Sequence, residues 1–130
     1  MVLDHDCVRA ILLEVEQCPF NQTLNVEKLT QLLPDFDEET IWYACLKMDE
    51  GGLLDIMTID MAFSNMPGIK QITSMTYQGH EFLDSVRDKT IWGKTKAIAK
   101  KAGAESIKIL VEIAKEVAKA AVVAALQSQL

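Results

Sequence analysis

Between Leu53 and Thr76 side-chain character alternates with a period of two, whereas on both sides of that stretch apolar residues recur every three or four positions. The first period belongs to an extended strand and the second to a helix, so the chain must change secondary structure there. Leu54, Ile56, Thr58 and Asp60 point opposite to Asp55, Met57, Ile59 and Met61. After the turn-forming run Ser64-Asn65-Met66-Pro67-Gly68, Ile72 and Ser74 point opposite to Gln71, Thr73 and Met75. Two strands joined by a Pro-Gly loop predict a hairpin.

Three helices are predicted before it. Asp4 or Asp6 can cap the first, with Val8, Ile11, Leu12 and Val15 on its inner side, and Cys18-Pro19-Phe20-Asn21 ends it. The second runs from Leu24 to Leu33 and stops before Pro34. The third begins in Asp35-Phe36-Asp37-Glu38-Glu39, whose acids suit the positive end of a helix. It buries Ile41, Ala44, Cys45 and Met48 and ends at Gly51-Gly52. After the hairpin come a helix carrying Phe82, Leu83 and Val86, a basic helix from Ile91 to Lys101 that Thr90 can cap, and a last helix from Ala104 to Gln129.

Three helices followed by a hairpin is the winged helix-turn-helix arrangement. At 130 residues there is room for one such domain and an appendage. The expected fold is therefore mainly α with a small β-hairpin: a winged-helix domain over residues 1–87 and a C-terminal helical extension over 88–130. Aromatic residues make up only 6% of the chain, so the core must be aliphatic.

No basic, apolar leader opens the sequence, and no apolar run approaches the ~20 residues of a membrane span. The odd set Cys7, Cys18 and Cys45 has no paired spacing and suits a reducing compartment, so a cytoplasmic address is expected. His5, Cys7, Cys18, Cys45 and His80 lack metal-ligand spacing. A Cys–His nucleophile would need an orienting group and a pocket that the sequence does not suggest. No phosphate-binding Gly-rich loop and no hydrolase or metalloprotease motif occurs. The expectation is a protein that is not an enzyme and has no metal, cofactor or small-molecule substrate.

Charge is distributed unevenly. Residues 34–60 hold eight acids against Lys47 alone, a net −7; residues 61–103 hold seven bases and three acids, a net +4; residues 104–130 are neutral. A helix that reads DNA presents Arg, Lys, Asn or Gln to base edges. The third helix instead carries Asp37, Glu38, Glu39 and Asp49, and its carboxylates oppose the counterion release that drives nonspecific binding. Trp42 and Tyr43 lie about 100° apart on it, so at most one points fully inward. Aromatics among acids suit a protein contact, and these six residues are the candidate partner-binding set. The alternative is a DNA-binding regulator gripping phosphates through Lys70, Arg87, Lys89, Lys94, Lys96, Lys100 and Lys101. The plainer reading of those lysines is a solvated face balancing the acidic middle.

On the last helix, Ile107, Leu110, Val111, Ala114, Val117, Ala118, Ala121, Val122 and Leu126 form one long stripe. Such a stripe points to self-association as a homo-oligomer, and docking on the chain's own body is the alternative. Its polar face is neutral, so attraction to anionic lipid is not expected.

The run Thr76-Tyr77-Gln78-Gly79-His80-Glu81-Phe82-Leu83-Asp84-Ser85-Val86-Arg87-Asp88-Lys89-Thr90-Ile91-Trp92 resembles the signature of an uncharacterised winged-helix family of bacteria, their phages and prophages. The opening, with Asp4, Val8-Arg9 and Ile11-Leu12-Leu13-Glu14, resembles that family's start. Glu38-Glu39-Thr40-Ile41-Trp42-Tyr43 loosely matches its acidic helix. The resemblance spans residues 1–101. It implies a winged-helix fold and a phage-related setting, and it carries over no activity and no site residue.

Overall fold

The computed structural model describes residues 1–129. Among these residues it contains six helices and one two-stranded antiparallel hairpin, a mainly helical architecture. In chain order the elements are α1 (His5–Gln17), α2 (Val26–Leu32), α3 (Glu38–Glu50), β1 (Leu54–Ile59), β2 (Gly68–Met75), α4 (Tyr77–Val86), α5 (Lys89–Ala102) and α6 (Ile107–Ser128). They pack as two units, residues 3–80 and residues 81–129.

In the first unit, α1 and α2 pack on α3, α3 continues onto β1, and β2 closes against α1 and α2. Asp4 caps α1, its carboxylate accepting the Cys7 N–H at 3.0 Å. Val8, Ile11, Leu12, Leu29, Ile41, Ala44, Met48, Leu53, Leu54 and Ile72 are buried. Each large side chain in that set contributes roughly 1.5–3 kcal/mol by leaving water. Burial pushes the thiols of Cys7 and Cys45 up to about 12; nearby Asp4 and Asp37 add to the effect at Cys7, and Cys7 adds to it at Cys45.

Some expected boundaries are corrected. Leu24 lies outside α2 and forms a single antiparallel bridge with Ile72: the Ile72 N–H donates to the Leu24 carbonyl at 2.7 Å. With that backbone engaged, the helix starts only after Asn25, whose side chain accepts the Lys28 N–H. Asp88, and not Thr90, caps α5, accepting from the N–H groups of Thr90 and Ile91. The last helix begins after its cap Ser106. The left-handed turn expected at Gly51-Gly52 falls on Gly52, at φ +78°.

The hairpin departs from a strict period of two. Asp55 pairs with Ser74 but Ile56 with Ile72, and Met57 pairs with Gln71 but Thr58 with Ile69. Thr73 and Lys70 are thus extra residues in β2. The first of these bulges turns Ile72 and Met75 to the same face, and both are buried although simple alternation sets them on opposite sides.

The start of α4 is locked to the turn after α3. The Thr76 N–H donates to the Leu53 carbonyl, and the Thr76 hydroxyl donates to the Gly52 carbonyl at 2.6 Å and accepts from the Gly79 N–H at 2.9 Å. The approach is so close that a Cβ on Gly79 would run into the Leu53 carbonyl oxygen and come within 2.7 Å of Met75 Cγ.

The second unit holds an antiparallel helical pair, α5 packed on α6 across a short link. Trp92, Thr95 and Ala99 face inward from α5, and Ile107, Leu110 and Ala114 from α6. Trp92 meets Phe82 edge-on, the ring centroids 6.4 Å apart. The buried Thr95 hydroxyl donates to the Ile91 carbonyl at 2.8 Å, so it costs no unpaired polar group. Gly103, at φ +66°, ends α5. No described helix is long and apolar enough to cross a membrane.

Candidate interaction surface

The acidic helix α3 is held by its first residue and its inner face. Asp37 caps it, accepting the Thr40 N–H at 2.8 Å. Hydrogen bonding from Thr40, side chain first and backbone second, keeps the Asp37 carboxyl below its usual 3.8. Ile41, Ala44, Cys45, Leu46 and Met48 are buried, one more than the expected stripe because Leu46 also finds cover.

On the outer side, Lys47 is spoken for. Its ammonium lies 2.9 Å from Glu50 and 5.3 Å over the Tyr43 ring, and the Glu50 hydrogen bond in particular raises its pKa. The single base of the acidic segment is therefore neutralised within its own helix, while Asp35, Glu38, Glu39, Asp49, Asp55 and Asp60 remain exposed.

Trp42 is half-buried, and its indole N–H donates to the Pro67 carbonyl at 2.9 Å, fastening the hairpin loop to α3. Beside this link lies a cleft of about 320 Å³ walled by Met1, Glu39, Trp42, Tyr43, Ser64 and Met66. Three of the six partner-binding candidates thus meet there. Asp37 acts as the cap, Glu38 is exposed outside the cleft wall, and Asp49 lies about 15 Å further along the helix axis.

Sequence reasoning missed the hairpin's share. Met57, Ile59, Met61, Phe63 and Met66 are all exposed, and Phe63 is fully so. Phe63 also has φ +63°, a left-handed conformation costing a non-glycine residue roughly 1–2 kcal/mol. The signal was present in the strand pattern. Both faces of β1 are apolar, and a two-stranded hairpin on a small core can cover only one of them.

The basic candidates are spread out. Lys70 sits exposed in a β2 bulge of the first unit, and the others belong to the second. Arg87 pairs with Asp84 at 3.0 Å, and Lys96 lies 5.7 Å over the Trp92 ring. Helical spacing puts Lys89, Lys96 and Lys100 along one edge of α5 and Lys94 and Lys101 along another, so no single face carries them all. On α6, Ile107, Leu110 and Ala114 are buried, Val111, Val117, Ala118 and Ala121 half-buried, and Val122 and Leu126 exposed.

A second cleft, of about 260 Å³, brings together two residues far apart in sequence: Cys18 and His80 share its wall with Glu16, Thr73 and Ser74. Among the described residues the Cys18 and His80 side chains share no hydrogen bond.

Comparison with known proteins places the chain in a family. It is 31% identical over 117 residues to an uncharacterised protein of Haemophilus influenzae, an alignment covering 87% of this chain and 88% of the relative. No solved structure matches it. Residues 2–105, from α1 to the end of α5, match the family of hypothetical proteins designated DUF2513, and the chain belongs to that family.

Proposed function

We propose that this chain is a cytoplasmic, non-enzymatic winged-helix interaction protein that binds a basic protein surface through α3 and the hairpin. The observation that carries this reading is the convergence of Glu39, Trp42 and Tyr43 with Ser64 and Met66 on one cleft. Aromatic and methionine side chains supply contact area, and the surrounding carboxylates select a cationic partner. The same carboxylates repel a phosphate backbone.

The order of helix, single-residue bridge, two helices and hairpin supports the winged-helix assignment. Three free cysteines, two of them buried, fit a reducing cytoplasm. The resemblance of the Thr76–Trp92 run and a bacterial relative support a bacterial or prophage setting. There an acidic face of this kind would compete for a basic surface that otherwise holds nucleic acid.

The test reverses Glu38 and Glu39 to lysine and leaves Asp37 to cap the helix. Recovery of protein partners from a bacterial extract should fall by on the order of tenfold relative to the unaltered chain. Unchanged recovery, or salt-sensitive binding of duplex DNA that falls when Lys94, Lys96, Lys100 and Lys101 are neutralised, would overturn the reading in favour of a DNA-binding regulator.

A further inference from the structure

The second unit ends in more apolar surface than it uses. At 1.5 Å per residue, the 22 residues of α6 span about 33 Å and the 14 of α5 about 21 Å, so α6 runs some 12 Å past its partner. Burial stops where cover stops. Ala114 is fully buried, yet Val122, Val123 and Leu126 are 58%, 51% and 63% exposed. Beside the overhang lies an open groove of about 570 Å³, walled by Ala97 and Ile98 of α5 and by Val117, Ala120 and Ala124 of α6. Its alanines let a helix backbone approach closely, and Ile98 is 46% exposed within it.

Charge identifies the occupant. The groove's polar residues are Lys94 and Glu116, one of each sign, and residues 104–130 are neutral overall. Glu112 lies near Lys115 and Glu116 near Lys119 along the same helix, at 3.9 and 3.6 Å. Such a surface gives no advantage to a strongly acidic or basic partner, or to anionic lipid. It does suit a surface carrying the same Lys and Glu in two-fold relation, because each Lys94 can then face the other copy's Glu116.

We infer that two copies of this chain pair through the α5–α6 groove, each receiving the apolar last turns of the other's α6. One contact thereby covers both features the single chain leaves open, the groove and the overhang. The inference is independent of what the acidic face binds.

The test is sedimentation and light scattering of the full chain beside Ala124→Glu in the groove and Leu126→Glu on the overhang. Both positions are exposed, so the variants keep the fold, which circular dichroism checks. The unaltered chain should dimerise, and each variant should dimerise at least roughly tenfold more weakly. Mixing Lys94→Glu with Glu116→Lys should give a mixed dimer that neither variant forms with itself, because both pairs across the two-fold are then of opposite sign. A full chain that stays monomeric at submillimolar concentration overturns the inference. So does dimerisation that neither variant weakens, or a mixture that forms no heterodimer.

Discussion

Helices α3 and α6 are both amphipathic, and the molecule treats them in opposite ways. In α3 burial continues along the whole helix, from Ile41 to Met48, because α1, α2 and β1 surround it. What it shows outward is charge, with Trp42 and Tyr43 at one edge. In α6 the buried positions end at Ala114 although the helix continues to Ser128, so it shows aliphatic side chains outward. An apolar stripe in a sequence therefore specifies a face that wants cover; it does not specify that the same chain supplies it.

The sharpest way to break this contrast is to shorten one side chain in each helix. Ile41→Ala should destabilise the chain by about 2–5 kcal/mol in urea unfolding, through lost transfer energy and the cavity left behind. Val122→Ala, measured where the chain is monomeric, should stay within about 0.5 kcal/mol. A comparable loss at Val122 would mean that the end of α6 is covered in the single chain after all.

Glycines sharpen the contrast at the next level. Gly79→Ala must displace the Leu53 backbone and should cost about 1–3 kcal/mol. An added Cβ at Gly93 meets nothing within 4 Å, so Gly93→Ala in α5 should raise stability by about 0.5–1 kcal/mol. Thermal unfolding of the two variants should move in opposite directions.

The smallest effect is a pH dependence at the start of α3. The Asp37 carboxyl is held below its usual 3.8, so its ionised form stabilises the folded chain above that value. The contribution fades as pH falls below 3.8 and disappears once pH passes the lower folded value. Asp37→Asn keeps a capping side chain without the charge, and its stability gap from the unaltered chain should close over that interval. A gap independent of pH would remove the charge from the account and leave only the cap geometry.

Much of the architecture was legible in the residues. The inner stripes of α1 and α3, a cap for α1 at Asp4 or Asp6, the acidic start of α3, the glycine stop at Gly51-Gly52 and the hairpin itself follow from local rules in which a residue acts on backbone a few positions away. Leu24 was misread because its partner, Ile72, lies 48 residues along the chain and no local pattern announces a bridge of one residue. Ile72 and Met75 were set on opposite faces because a bulge at Thr73 does not show in the alternation. For the candidate surface, the acids and aromatics of α3 could be named, whereas Ser64 and Met66 could not. Their membership depends on how the loop folds back to Trp42.

By itself the sequence determined periodicity, caps, charge placement and the amount of apolar side chain to be covered, since each is a property of neighbours along the backbone. Only the tertiary structure decided which apolar residues were covered. It also decided which distant residues shared a cleft and which glycine had no room to change. Burial and proximity are relations across space, and the chain fixes them only after its long-range contacts have formed.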